Sequence, residues 1–283
     1  MSLSHDVQAA LPPNFEPESL AWRQMMEDRL RAEDGWLTVV GLHWLSEGSN
    51  AIGSDPTCAV PLPAKSTSSH LGWLTLQAGQ VTLTVTGDDL VQIDQQPARN
   101  ALLRDDHAEG GATLVNVGDL TFFVIKRGDQ YAIRVRQRSS PARQMFSGRH
   151  WFPLDPAYYV LGRYVPHPTP RTVTVMNSVG SLVPMENPGW VTFRLAEHDT
   201  RLEAFDAGED TLWFIFKDAT NEALTYKAGR FLYATRDAQG GVLLDFNRAY
   251  HPPCAFTPFA TCPLPPRENT LPFPIDAGER LPL

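Results

Sequence analysis

The stretch that most restricts this chain runs from Val242 to Leu271, VLLDFNRAYHPPCAFTPFATCPLPPRENTL. Pro252, Pro253, Pro258, Pro263, Pro265 and Pro266 remove backbone donors and bias their predecessors towards extended conformations. Neither a helix nor a central strand can therefore run through them. Ahead of the prolines, Val242, Leu244 and Phe246 alternate with Leu243, Asp245 and Asn247. That period predicts a strand with one apolar face and one that ends in an acid and an amide. A loop already stiff before folding loses less entropy when ordered, and Tyr250, Phe256 and Phe259 give it apolar area with which to dock. Such a loop can hold polar groups in fixed positions.

From Tyr158 onward, strand signals recur at short spacing: YYVLGRYV, RTVTVM, SLVPM, GWVTFRL, TRLEAF, TLWFIF, GRFLYA and VLLDF. Turns at Pro166-His167-Pro168, Asn187-Pro188-Gly189, Glu197-His198-Asp199 and Gly240-Gly241 separate them into eight short strands, as in a barrel or sandwich. Thr211–Phe216 is apolar on both faces and belongs centrally. Thr192 and Arg194 alternate with Val191, Phe193 and Leu195, so one face there meets solvent or a polar cavity.

Upstream, Pro17–Glu33 carries an apolar stripe of Leu20, Trp22, Met26 and Leu30 with charges opposite, and Gly35 ends this helix. Val81, Leu83 and Val85 alternate with Thr82, Thr84 and Thr86, the mark of a half-buried strand. In Tyr131–Arg136, Arg134 and Arg136 share a strand face, read as solvated. The expectation is an all-β protein. Residues 1–34 form a helical segment, 35–138 a sandwich lobe, 139–157 a connection, and 158–283 a barrel-like lobe with the proline-rich loop.

DFNRAYHPPCAF, followed by CPLPPRENTLPFPIDAGER and preceded by TYKAGRFLYA, resembles the C-terminal signature of domain-of-unknown-function family 1684, from bacteria and archaea. GWLTVVGLHWLSEGSNAIGSD near the start agrees as well. The family commonly shows Asn-Pro after the tyrosine, where this chain has His251-Pro252. It implies no particular activity. Within residues 48–127, GSNAIGSDPTCAVPLP, SSHLGWLTLQAGQVTLTV, IDQQPA and VGDLTFFVIKRG resemble a forkhead-associated (FHA) β-sandwich. Ser68, Ser69 and His70 approximate its Ser-x-x-His, but Ser54 stands where its phosphate-clamping arginine would be. The resemblance implies a scaffold whose loops around Ser54 and Ser68–His70 could contact a protein partner.

A net charge of −8 lacks the basic footprint that general nucleic-acid binding needs. No run of eighteen apolar residues exists, and MSLSHDVQAALPPNFEP lacks a charged segment followed by an apolar core, so a cytoplasmic protein with no membrane segment is expected. Three cysteines, Cys58, Cys254 and Cys262, are too few for a disulfide framework. The P-loop, GxGxxG, HExxH, GxSxG and CxxC patterns are absent.

Three constellations remain. Asp218, Tyr226, Arg230, Asp245, Asn247, Glu268 and Asn269 could form a polar pocket in which Arg230 clamps a small anionic or polar ligand and Asp245, Asn247 and Glu268 orient it. The same residues could instead pin the proline loop to the barrel. His251, Cys254 and Cys262 have the chemistry for zinc but lack a fourth ligand, so no cofactor is expected; buried thiols or a loop disulfide are the other readings. Asp218, Asp245 and Glu268 are the acids available for hydrolytic turnover.

Overall fold

A computed structural model describes residues 11–282. Residues 1–10, part of the segment read above as lacking a leader, lie outside that range. Among the described residues no helix is long and apolar enough to cross a membrane. The chain forms two compact units, one of Leu30–Phe146 with Phe256–Ala260 and one of the remaining described residues.

In the first unit, short strands stack into two sheets. One has the order β3 (Val60–Pro61), β2 (Gly48–Gly53), β4 (Gly72–Gln77), β5 (Gln80–Val85) and β8 (Asn100–Leu103). The other runs β1 (Val39–Trp44), β11 (Gln130–Gln137), β10 (Leu120–Arg127), β9 (Val115–Val117), β6 (Val91–Ile93) and β7 (Gln96–Pro97). Inward residues of both sheets, among them Ile52, Leu74, Leu83, Phe122 and Ile133, share one dry core. The arginines of β11 depart from the solvated face expected of them. Arg134 is buried with its guanidinium 4.9 Å from the Trp36 ring, and Arg136 lies 4.9 Å from the Phe123 ring. A planar guanidinium lies flat on an aromatic face while its stem packs, so this strand face is covered by aromatic rings.

The second unit begins with helix α1 (Phe15–Arg31), whose Trp22 meets Trp151 and Tyr250 edge to face. After the two-residue strand β12 (His150–Trp151) come β13 (Tyr159–Met176), β14 (Leu182–Leu195), β15 (His198–Asp206), β16 (Thr211–Phe216), β17 (Arg230–Thr235) and β18 (Gly241–Asp245). Their sheet order is β17-β16-β15-β14-β13-β18, all antiparallel, and the Arg236–Val242 bridge brings the two outer strands together in a nearly closed barrel. Val191, Leu202, Phe214, Leu232, Val242, Leu244 and Phe246 fill its interior. A last strand, β19 (Glu279–Arg280), pairs with β12.

The barrel has six strands where eight short ones were expected. Pro166-His167-Pro168 and Asn187-Pro188-Gly189 do not end strands; they face each other across the β13–β14 ladder. Pro166 pairs with Gly189 and Arg171 with Asn187, so the ladder shifts register and His167–Pro170 bulge out of it. Proline cannot donate to a ladder, and a bulge accommodates that without ending the strand. Gly189 makes the crossing possible. A Cβ there would lie 2.9 Å from both Pro166 Cα and Tyr164 Cζ and would collide with the Val165 carbonyl oxygen.

Candidate functional site

The sequence-predicted residues divide among four networks within the barrel unit. Arg230 and Asp218 come together, with Arg230 Nη2 donating to Asp218 Oδ2 at 2.8 Å and to the Ile275 carbonyl at 2.9 Å. Nη1 donates to the Ala277 carbonyl. Asp218 Oδ1 accepts from the Thr220 and Ile275 amides and the Thr220 hydroxyl. Neither side chain of the pair is exposed, so Arg230 is engaged with the protein's own groups and is not presented to a ligand. Its expected place beside Asn247 is also corrected. A 3-10 turn at Phe246–Arg248 ends β18, so Phe231 pairs with Tyr250 and the ladder skips past Asn247.

Asn247 instead closes on the Asp245 carboxylate through its amide and side chain, both at 3.1 Å, and exchanges hydrogen bonds with the Asp155 backbone. Burial raises the Asp245 pKa, offset by Asn247 and Arg248. With Arg248 and Arg236 it borders a shallow hollow of about 490 Å³.

His251 Nε2 accepts from the Tyr226 amide at 3.1 Å, and Nδ1 stands 3.7 Å from Glu279 Oε1. The other Glu279 oxygen accepts from the His251 amide at 2.7 Å and from Arg149 at 2.5 Å. His251, Cys254 and Cys262 do not converge on a common point. Among the described residues the one set of three with ligand atoms within 4.8 Å of one another is Asp105, Asp106 and His107, and its acids already accept from the His107 and Lys126 amides and from Arg127. Burial raises the Tyr226 pKa, and its hydroxyl donates to the Cys254 carbonyl at 2.8 Å.

Asn269 leads to the residues that the sequence reading missed. Its side chain enters where β15 and β16 part, accepting from the Glu203 amide at 2.7 Å and donating to the carbonyls of Glu203 and Ile215 at 2.9 and 3.0 Å. It thus fixes Glu203, whose buried carboxylate turns towards the bulge of β13. Glu203 Oε2 receives Arg171 Nη2 at 2.9 Å and His167 Nε2 at 3.1 Å. Asn187 Oδ1 receives the same two side chains, His167 Nε2 at 2.7 Å and Arg171 Nε at 2.8 Å. Its Nδ2 donates to the carbonyls of Gly189 and Ala204. The Trp190 ring lies against the imidazole, 4.8 Å between ring centres, and the Arg201 guanidinium lies 5.3 Å from the centre of the Trp190 ring.

Beside this cluster lies a cavity of about 280 Å³ bounded by Arg171, Thr172, Val173, Glu203, Phe205, Pro266 and Glu268. Glu268 sits exposed on the 3-10 turn Arg267–Asn269, and half of the Arg171 side chain is exposed. Glu203 Oε1 accepts no hydrogen bond among the described residues. A small hole walled partly by Val173, Phe205 and Pro266 thus meets one cation and two carboxylates, with the His167 imidazole on Glu203 behind them. The signal for it was the proline–histidine run opposite Asn-Pro-Gly, which reads as a bulge once both flanks are recognised as one strand. The three acids considered for hydrolysis are dispersed: Asp218 on Arg230, Asp245 on Asn247 and Arg248, and Glu268 at this cavity.

In the sandwich unit the loops around Ser54 and Ser68–His70 are tied to themselves. The Ser54 hydroxyl donates to the carbonyls of Thr67 and Ser68, the Asp89 carboxylate accepts the Ser68 amide at 3.1 Å, and the His70 ring packs edge-on against Trp73.

A family profile described as protein of unknown function DUF1684 matches residues 144–280, the span that holds all four networks of the barrel unit. The chain belongs to this family. A solution structure of an uncharacterised protein from Haloarcula marismortui is similar at 33% identity, covering 49% of this DUF1684 chain and 79% of that protein, with a TM-score of 0.42. The FHA domain of FhaA, crystallised with the intracellular domain of Rv3910, shares 18% identity over 34% of this chain and 97% of its own, with a TM-score of 0.24. An FHA domain from work on phosphothreonine-dependent interactions shares 19% identity over 35% of this chain and 97% of its own, again at a TM-score of 0.24. No curated protein matches the DUF1684 chain.

Proposed function

We propose that this protein binds a small polar ligand with a positively charged end in the cavity between Arg171, Glu203 and Glu268. The observation that supports the reading is the convergence, at one bulge, of a buried Glu203 and a half-exposed Arg171 beside a hole large enough for a small molecule. Small-molecule sites are concave and hold a few fixed polar groups, and bulges are frequent beside them. Charge selects the ligand class. Arg171 is already paired with Glu203, so Glu268 leaves the rim with a surplus negative charge that favours an ammonium or guanidinium over a carboxylate or phosphate. The cradle is preorganised, because Asn269 holds the Glu203 backbone through a buried hydrogen bond and Asn187 holds Arg171 through a partly buried one.

The test is calorimetric titration with a panel of small primary amines and carboxylates of matched size, run on the wild type, Glu268→Gln and Arg171→Gln. Saturable binding of an amine that weakens at least tenfold in Glu268→Gln, with no carboxylate binding, is expected. Binding of carboxylates alone, or of nothing in the panel, would overturn it.

A further inference from the structure

A second hollow, of about 730 Å³, lies on the outer wall of the barrel and shares no residue with the Arg171 cavity. Strand alternation builds it. Val160, Val191, Phe193, Val242 and Leu244 fill the barrel core, so Leu161 and Arg163 of β13, Thr192 and Arg194 of β14 and Gly241 of β18 stand on the outer face. Arg163 pairs with Thr192 on one side and with Gly241 on the other. Gly241 brings no side chain to that face, so the hollow opens beside Arg163. Arg194, two residues from Thr192, is the diagonal neighbour of Arg163 at about 7–8 Å between backbones, within reach of long side chains.

The charges around this hollow are unevenly satisfied. Among the described residues the Arg163 side chain forms no ion pair, hydrogen bond or ring contact. Other arginines of the barrel unit are engaged: Arg149, Arg171, Arg230, Arg236 and Arg248 pair with carboxylates, and Arg201 lies on Trp190. Arg194 stands 3.6 Å from both Glu197 and Asp199, and all three are exposed, so these contacts are weak and screened. Asp237, the one acid in the lining, turns back on its own loop, where one oxygen accepts from the amides of Gln239 and Gly241 at 2.8 and 2.7 Å. The lining thus sets two guanidinium groups against one carboxylate that is already engaged. Leu161, next to Arg163 on the same strand face, is 43% exposed.

We propose that this hollow binds a phosphate monoester with an apolar body, the phosphoryl group between Arg163 and Arg194 and the body over Leu161 and Tyr159. A phosphate monoester carries close to two negative charges and three terminal oxygens, enough for two guanidinium groups that approach from different strands. A carboxylate has one charge and two oxygens, which a single arginine satisfies in full. Competition from Glu197 and Asp199 is slight, since neither comes within hydrogen-bond distance of Arg194. The exposed Leu161 accounts for the apolar body, because a bare phosphate would leave that surface in water. The volume suits a small molecule. The chain's net charge of −8 works against diffuse binding of a dianion, so any such binding has to come from a local pair of cations.

The test is calorimetric titration of the full chain with phenyl phosphate, inorganic phosphate and benzoate, on the wild type, Arg163→Gln, Arg194→Gln and Arg29→Gln. Phenyl phosphate should saturate one site, inorganic phosphate should bind more weakly, and benzoate should not bind in the same range. Arg163→Gln should weaken phenyl phosphate binding by about tenfold or more, and Arg194→Gln by less, because Glu197 and Asp199 share that guanidinium. Arg29 is exposed on α1 and does not line the hollow, so Arg29→Gln should bind as the wild type does. Both arginines of the hollow are exposed, and unchanged melting temperatures would show that their variants fold. Absence of saturable binding, an affinity unchanged in Arg163→Gln, or an equal loss in Arg29→Gln would overturn the proposal. Benzoate binding as tightly as phenyl phosphate would overturn the phosphoryl assignment, and inorganic phosphate doing so would overturn the apolar body.

Discussion

Arg230 and Asp218 form an ion pair at 2.8 Å with both side chains shut off from solvent. Arg230 begins β17 and Asp218 follows β16, and the guanidinium also reaches the carbonyls of Ile275 and Ala277, so one side chain ties the C-terminal tail to the barrel. Removing one partner of a buried pair leaves an uncompensated charge, at a cost of about 3–5 kcal/mol. Arg230→Met should therefore lower stability by roughly that amount, measured by urea denaturation, while a ligand of the Arg171 cavity still binds to the fraction that remains folded. A variant as stable as the wild type would show that the pair contributes nothing.

Glu279 and His251 make the second prediction. Burial raises the Glu279 pKa from 4.5 to about 7 against the pull of Arg149. Burial, with the charges of Arg230 and Arg149, lowers His251 from 6.5 to about 3. A raised acid contributes stability that is full at low pH and lost as pH rises towards 7; a lowered base contributes stability present above 6.5 and lost as pH falls towards 3. Between 4.5 and 6.5 the unfolded pair carries its proton on the histidine and the native pair on the glutamate, so the two slopes cancel. Glu279→Gln removes the acid's share and leaves the base's. Its stability should fall on acidification through that window by about 1.4 kcal/mol per pH unit more than the wild type's. Denaturant titrations at several pH values check this, and parallel profiles would refute it.

The fold class was legible because period-two alternation survives in nearly every strand. Val242, Leu244 and Phe246 are all buried in the barrel core as their spacing required, and Thr192 and Arg194 are exposed. The strand count was not legible. Proline normally ends a ladder, and the pairing that rescues Pro166 lies across the hairpin at Gly189, beyond the reach of a local reading. The site was half legible for the same reason. Glu268 and Asn269 stand in a conspicuous loop, whereas His167, Arg171, Asn187 and Glu203 come together only once the bulge aligns three strands. Arg230 shows the converse error. A charged residue among acids suggests a ligand clamp, but burial decides whether its donors are free.

Gly189 tests the bulge directly. Its neighbours across the ladder are backbone atoms of Val165 and Pro166, which cannot move aside as a side-chain end can. Gly189→Ala should overpack the crossing and cost about 1–3 kcal/mol or more, seen as an earlier thermal transition. Amine binding should weaken with it, since the displaced strand carries Asn187. An unchanged melting temperature would mean that the β13–β14 crossing is looser than its geometry indicates.

Asn187 joins the barrel to the site most tightly. Fully buried, it accepts from His167 and Arg171 and donates to the carbonyls of Gly189 and Ala204, at distances of 2.7 to 3.1 Å. Asn187→Ala leaves two carbonyls without their donor and removes one of the two acceptors that orient Arg171. Unsatisfied buried groups cost about 1–3 kcal/mol each, so stability should fall by at least that amount. Faster hydrogen exchange should be confined to the amides around Gly189 and Ala204 and should spare the β16–β17 hairpin. The loss of ligand affinity should exceed what partial unfolding explains, because Arg171 is then held by Glu203 alone. If exchange rises uniformly across the barrel instead, Asn187 supports the whole fold and not this corner of it.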